Sequence, residues 1–247
     1  MIGSFTAALQ FLTLLRLSRN GNEYTPEEFS RSMVFFPVVG ALQGLILFIV
    51  YIVLGALLSP GLLGAVLVAV LIITNGGLHL DGFVDTVDGL AGGATPERRL
   101  EIMRDSAVGA IGVVALVILL ILKYESLSSV SVEAAGAIFL FPVIGRWTAV
   151  PVAYLANYAR EGEGLGRLFS EVKVTTLIYA TLITVVPVVV ILGLTGLIAT
   201  VGVFIAAALV TAFFKRKIGG VTGDVMGFQG ELGEVLFLII VIIAGRI

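Results

Sequence analysis

Long apolar runs alternate with shorter polar segments along the whole chain. The apolar runs that we take as membrane-spanning helices are residues 33–58, 62–78, 107–123, 134–155, 174–194, 197–214 and 232–245. An upright helix needs roughly 20 apolar residues to cross a bilayer. An eighth candidate is residues 2–17, but its apolar stretch ends at Arg16 and is shorter than an upright span. An interfacial or tilted helix is therefore an equal alternative for this segment. The pattern predicts an all-α polytopic transmembrane helical bundle with seven or eight membrane segments.

The composition supports this class of protein and excludes others. A mean hydropathy of +1.11 with 13% charged residues excludes a soluble globular protein. The runs are continuous and aliphatic rather than short and alternating, which favours helices over a β-barrel. They leave no room for a separate soluble domain, so we expect one membrane-embedded catalytic domain over residues 1–247. The chain has no Cys, which excludes thiolate chemistry and Cys-based metal sites.

The charged residues are distributed unevenly between the two sides of the predicted bundle. With seven spans, four polar segments fall on one side: 18–32, 79–106, 156–173 and 215–231. Apart from Arg146 and Glu234, which lie inside predicted spans, this side holds every basic residue except Lys123 and Arg246, and every acid except Glu125 and Glu133. Because cytoplasmic loops are enriched in Lys and Arg, we expect this side to be cytoplasmic. The chain is therefore predicted to be a multi-pass protein of the cell membrane with its active site on the cytoplasmic face.

Six acids lie within 25 residues between two apolar runs. They are Asp81, Asp85, Asp88, Glu97, Glu101 and Asp105. The first three are spaced i, i+4 and i+7, so they share one face of a helix. Carboxylate oxygens suit hard divalent cations such as Mg²⁺ or Mn²⁺, and without a cation these groups would repel one another. The alternative is a solvated helix face with no ligand.

The second half of this acidic segment has two interpretations. Glu97, Glu101 and Asp105 are spaced four residues apart, and Arg104 precedes Asp105. Carboxylates that could bind a metal therefore occur beside a guanidinium group that could bind a phosphate. The alternative is an amphipathic surface helix with ion pairs, which begins at a cap formed by Thr95. Asp105 fits that alternative less well, because it ends the helix beside the next span.

Four further charged positions are candidates for binding an anionic substrate or a metal. Arg160 and Arg167 flank a Gly-rich run, a combination that can bind phosphate. Arg146 lies inside an apolar span, so it should face the bundle interior or a polar cavity, with a carboxylate or a substrate phosphate as its partner. Asp224 lies between glycines just before the last span.

His79 is the only histidine, two residues before Asp81. It could act as a general base or a hydrogen-bond donor, or it could be structural. The sequence shows no Ser–His or Cys–His pairing of the kind that is typical of acyl transfer. Carboxylates, arginines and Gly-rich segments at one membrane face instead indicate metal-assisted phosphoryl or nucleotidyl transfer.

At these residues the chain resembles the cobalamin synthase family, also called adenosylcobinamide-GDP ribazoletransferase. The resemblance rests on residues 76–82, 85–89, 97–99, 102–106 and 109–112, and it extends to 10–13 and 223–224. It covers nearly the whole chain. It implies a membrane enzyme that joins adenosylcobinamide-GDP to α-ribazole, or to its 5′-phosphate, with release of GMP in a late step of cobalamin nucleotide-loop assembly.

The resemblance also implies roles for the candidate residues, with Mg²⁺, or Mn²⁺ in its place, as the cofactor. The expected metal ligands are Asp81, Asp85, Asp88, Asp105 and Asp224. The expected catalytic residues are Asp81, Asp85, Asp88 and His79. The expected substrate-binding residues are Arg104, Arg146, Arg160 and Arg167.

Two alternatives remain open at this point. The aspartate spacing is also similar to that of the CDP-alcohol phosphotransferases, although the Asp-Gly-x-x-Ala-Arg start of that family is not matched. An ion or solute transporter would carry charges near the middle of its spans, where this sequence has chiefly Arg146. As partners we expect the two substrates and the lipid bilayer and no nucleic acid, with a homo-oligomer as an open alternative.

Overall fold

The computed structural model describes residues 2–15, 25–160 and 172–245. The helices in chain order are α1 (Ile2–Leu12), α2 (Pro26–Ser32), a short 3-10 helix (Met33–Phe35), α3 (Phe36–Leu54), α4 (Pro60–Asn75), α5 (Leu78–Gly92), α6 (Pro96–Ile102), α7 (Ala110–Ser128), α8 (Gly136–Leu155), α9 (Val174–Ile218) and α10 (Gly223–Ala244). The described residues form no strand, and their single β-bridge joins Tyr158 to Val221. The predicted all-α membrane class is confirmed.

Among the described residues, the number of membrane spans is slightly lower than the seven or eight predicted. Five helices are long and apolar enough to cross a bilayer, or up to six if α4 and α5 form one bent span. Helix α1 has 11 residues, which is too short for an upright span, so the eighth candidate is not counted. The predicted segments 174–194 and 197–214 are the two halves of α9, which the count of five takes as one helix although the chain turns back between them at Gly193.

Helix α9 is not straight, because its chain turns back at Gly193. This residue has φ 57° and ψ −137°, a conformation that favours glycine. Beyond the turn, the Gly196 backbone lies against the side chain of Val188, and residues from both halves of α9 line one apolar cavity. The two halves therefore pack side by side, which places both ends of α9 at the same end of the bundle.

The last helix begins earlier than its hydropathy suggested. The sequence pattern assigned residues 215–231 to a loop, but α10 already begins at Gly223, after an N-cap in which the Thr222 hydroxyl accepts a hydrogen bond from the Val225 N–H. The first turns are poor in aliphatic residues because they pack closely on α5 and α8 inside the bundle. Small residues allow such close helix packing in membranes.

Polar contacts join the helix ends at one end of the bundle. Lys173, before α9, contacts Glu27 at 3.3 Å. The Arg99 guanidinium of α6 donates to the Lys217 carbonyl at 3.0 Å. At the same end, the Arg160 side chain pairs with Asp224. The polar segments that the charge pattern placed on one side are therefore neighbours in space.

Candidate active site

A sharp bend between α4 and α5 positions the first site residues. The two helices meet at 91°, and the residues between them, Gly76 and Gly77, have φ of 67° and 72°. These left-handed conformations favour glycine. The Asn75 side chain stabilises the bend by accepting a hydrogen bond from the Gly77 N–H at 2.9 Å. His79 and Asp81 therefore lie in the first turn of α5, directly after the bend.

Close packing of α5 on α10 brings two of the predicted aspartates to the same cavity. A Cβ atom at Gly82 would lie 2.9 Å from the Asp224 Cα, so only glycine permits this approach. As a result, Asp81 of α5 and Asp224 of α10 line one cavity of about 190 Å³, which we call the inner cavity. Two residues that are 143 positions apart in sequence (224 − 81) thus share a site.

Two arginines lie at the inner cavity together with these aspartates. Arg160 donates to the Asp224 carboxylate at 2.7 Å and to the Met103 carbonyl at 3.3 Å. Arg146 is buried, and its guanidinium donates to the side-chain oxygen Oε1 of Gln43 at 3.0 Å. His79 is also buried beside this cavity. The inner cavity therefore combines the predicted aspartate, arginine and histidine candidates.

A second cavity adjoins the first and is larger and more open. This outer cavity has a volume of about 580 Å³ and lies between α1, the α4–α5 bend and α7. Its lining is mainly apolar and includes Leu14, Val84 and Val108. Asp81 and Phe11 line both cavities. Asp81 is therefore positioned where a ligand in one cavity would meet a ligand in the other.

Asp85 and Asp88 lie further along α5 and differ in their surroundings. The Asp88 carboxylate accepts hydrogen bonds from the backbone N–H groups of Gly109 and Gly112 at 2.7 and 2.8 Å, at the start of α7. A carboxylate is favoured there by the positive end of the helix dipole. Asp85 is half-buried and is repelled by Asp81, by Asp224 and by Asp88. Asp88 therefore joins two helices, whereas the Asp85 carboxylate interacts with the negative charges of Asp81 and Asp224 at the inner cavity.

The structure places the candidates on α6 and after it away from both cavities. Arg104 and Asp105 are exposed, and the Asp105 carboxylate accepts a hydrogen bond from the Ala107 N–H. Glu101 forms an exposed ion pair with Arg98 at 2.6 Å. Glu97 lies in the first turn, where hydrogen bonds from its own backbone N–H and from Thr95 lower its pKa. These contacts are typical of a surface helix.

The structure does not test Arg167, which lies outside the described residues.

The predicted set of five metal-binding aspartates is not assembled as one unit. In residues 2–15, 25–160 and 172–245, no three His, Asp or Glu side chains form a ready-made metal site. Mg²⁺, however, usually takes only one or two carboxylates, together with water and substrate phosphate oxygens. Within the described part of the chain, the carboxylates of Asp81 and Asp85 accept no hydrogen bond. This pair fits a cation that is shared with a bound phosphate.

The bundle interior holds a buried charge network that the sequence pattern did not predict. Lys123 contacts Glu231 at 2.5 Å and Glu234 at 2.6 Å, and Glu234 also accepts from Arg146 at 3.2 Å. All four side chains are at most 2% exposed. Lys123 was therefore wrongly placed on the opposite side of the membrane, and Arg146 is not the chief charge within the spans. The carboxylate alternative for the partner of Arg146 is confirmed.

One signal in the sequence pointed to this network. A Lys within an apolar run and two acids near the last run are costly in a membrane unless they pair. The partners could not be assigned from sequence, because Lys123 and Glu231 are 108 residues apart. Two cations and two anions balance in the network. Its charges thus compensate one another, and they position Arg146 at the wall of the inner cavity.

Comparison with known proteins gives a consistent result over the full length of the chain. A family model described as cobalamin-5-phosphate synthase matches residues 4–242. An adenosylcobinamide-GDP ribazoletransferase of Acetivibrio thermocellus is 39% identical over 218 residues, which cover 87% of this chain and 88% of the relative. Proteins of the same name from Geotalea daltonii and Escherichia coli K12 are 38% and 35% identical, and the matches cover 100% and 95% of this chain and 100% and 97% of the relatives. No solved structure gives a significant match.

Proposed function

Because the chain belongs to the cobalamin-5-phosphate synthase family, we propose that it is a membrane transferase that joins adenosylcobinamide-GDP to α-ribazole or its 5′-phosphate and releases GMP. The site would lie on the cytoplasmic face of the cell membrane. The observation that carries the proposal is the inner cavity, where Asp81 and Asp224 lie beside Arg146 and Arg160. Acids and arginines around one cavity suit transfer between phosphate groups, which depends on positioning and charge stabilisation.

The reaction exchanges one bond at phosphorus for another. A ribose hydroxyl oxygen of α-ribazole attacks the phosphorus attached to cobinamide, and the bond from that phosphorus to the bridging oxygen breaks. GMP leaves with the electron pair of the broken bond, and the hydroxyl proton passes to a base. Asp81 is the candidate base or metal ligand, because it lies where the two cavities meet.

The arginines of the inner cavity would stabilise the charge of the phosphates. Arg guanidinium groups bind phosphate through paired N–H donors. In the described structure Arg146 Nη2 and Arg160 Nε have no hydrogen-bond partner, so each retains a donor. Glu234 and Asp224 hold the two guanidinium groups in place. The arginines are thus positioned before the substrate binds.

Mg²⁺ is the proposed cofactor, with Asp81 and Asp85 as the protein ligands. When bound, it would neutralise charge on the pyrophosphate and on the departing GMP. Asp88 has a different part in this proposal: it holds α5 against the start of α7 and so keeps the other two aspartates in register.

The test is an assay of the purified protein in lipid nanodiscs with adenosylcobinamide-GDP and α-ribazole. GMP and the cobalamin product should form in equal amounts only when both substrates are present. Chelation of divalent cations should stop the reaction, and added Mg²⁺ or Mn²⁺ should restore it. No product from a folded, Mg²⁺-supplied sample would refute the proposed function. Full activity in a chelator would refute the proposed cofactor alone.

A further inference from the structure

The two adjoining cavities differ in size and chemistry, although they share Asp81. The inner cavity has a volume of about 190 Å³ and is the more enclosed of the two, whereas the outer cavity measures about 580 Å³ and is wide open. A closed apolar cavity of about 150 Å³ in a protein accommodates benzene. The inner cavity therefore has room for a compact aromatic base and excludes a corrin macrocycle.

The walls of the inner cavity suit a flat aromatic group with a polar attachment. Phe11 and Phe36 lie on its wall with ring planes 14° apart and centroids 6.0 Å apart, and Tyr158 adds a third aromatic side chain. Aromatic walls favour flat rings by stacked or edge-to-face contact. The polar part of the wall comes from His79, two arginines and two aspartates, so the cavity has an aromatic part and a charged part.

Unpartnered nitrogen atoms in this wall indicate that a ligand completes the site. Arg146 Nη2 and His79 Nδ1 have no hydrogen-bond partner in the described structure, and the two side chains are 1% and 8% exposed. A buried polar atom without a partner costs about 1–3 kcal/mol. A sugar hydroxyl of the acceptor would supply a partner for His79 Nδ1, and a phosphate oxygen of the donor would supply one for Arg146 Nη2, so that binding would offset that cost.

We propose that the inner cavity binds the α-ribazole acceptor, with its bicyclic aromatic base against the aromatic side chains. The larger donor would enter through the outer cavity and place its phosphates where the two cavities meet, at the guanidinium groups of Arg146 and Arg160. The proposal rests on the proposed function. It places the two reacting groups on either side of Asp81. The open outer cavity lets the rest of a bulky donor extend beyond the protein.

The absence of Cys from the chain allows a test by single-cysteine protection. Ala149 lines only the inner cavity and Val108 only the outer cavity, so Ala149→Cys and Val108→Cys place one thiol in each. Both substitutions are small enough to leave the packing nearly unchanged. The rate of labelling by a small thiol reagent is measured in nanodiscs, with each substrate alone.

At ten times its dissociation constant, α-ribazole should slow labelling at position 149 about tenfold by occupancy and leave position 108 unchanged. Adenosylcobinamide-GDP should slow labelling at position 108. Protection of position 108 by α-ribazole, or no protection of position 149, would overturn the assignment.

A kinetic experiment provides an independent measurement. Ala149→Leu fills part of the inner cavity, and Val108→Phe fills part of the outer cavity as the matched control. Ala149→Leu should raise the KM for α-ribazole about tenfold, with little change in the KM for the donor. An increase in the donor KM instead would overturn the assignment while the proposed function stands. Absence of turnover in the wild-type protein would overturn both.

Discussion

Replacing Lys123 by Met should destabilise the bundle strongly, because it removes one charge from a balanced buried network. Lys123 contacts both Glu231 and Glu234, and Arg146 contacts Glu234. All four side chains are at most 2% exposed, so water does not screen the charge that remains. Met retains much of the volume of the Lys side chain, which limits the effect of a cavity. After the substitution, two carboxylates share one cation.

The expected loss follows from the cost of a buried unpaired charge. Breaking a buried ion pair by removing one partner costs about 3–5 kcal/mol. Trp147 is the only tryptophan and is 2% exposed, so its fluorescence in detergent micelles should report unfolding. The matched control is Arg98→Met, which breaks the exposed ion pair with Glu101 and should cost less than about 1 kcal/mol.

A double variant separates charge balance from packing. Lys123→Met combined with Glu231→Gln restores the balance of the network and should recover more than half of the free energy of unfolding that the single variant loses. If the free energy of unfolding of Lys123→Met equals that of the Arg98→Met control within error, the network does not stabilise the bundle. If the double variant is less stable than the single one, packing rather than charge explains the loss.

Three further predictions concern α5, α9 and the orientation in the membrane. Asp88→Ala leaves the backbone N–H groups at the start of α7 without their acceptor and should lower the free energy of unfolding by about 1–3 kcal/mol, as measured by Trp fluorescence; an unchanged value would contradict its structural role. Gly193→Ala puts a side chain in a left-handed conformation and should cost about 1–2 kcal/mol in the same assay, whereas a neutral effect would contradict the turn in α9. In intact cells, an impermeant maleimide should label Ser129→Cys and should label Ser106→Cys only after lysis; the opposite result would reverse the topology.

The helical class and most helix positions could be predicted from the apolar runs, because a bilayer requires each spanning segment to be continuous and apolar. The same pattern failed where polar residues pack against protein rather than lipid. The first turns of α10 contain Asp224 and Glu231 and therefore resembled a loop. The turn at Gly193, by contrast, lies where the pattern separated the predicted spans 174–194 and 197–214.

The candidate site was predicted in part. Helical spacing correctly placed Asp81, Asp85 and Asp88 on one helix, and the cost of a charge in the membrane indicated that Arg146 faces the interior. The separate environments of the three aspartates depend on α7 and α10, whose contacts with α5 are tertiary. The pairing of Lys123 with two glutamates is also tertiary and was missed.

The most direct measurement of the central claim is the rate of GMP release by Asp81→Asn in nanodiscs with both substrates and Mg²⁺. Loss of a metal-binding or proton-accepting carboxylate at the reacting phosphorus should reduce the rate about 100-fold or more, with unchanged thermal unfolding. Glu101→Gln, which alters an exposed acid outside both cavities, is the matched control and should retain the wild-type rate. A wild-type rate for Asp81→Asn would contradict the claim that the reaction takes place where the two cavities meet.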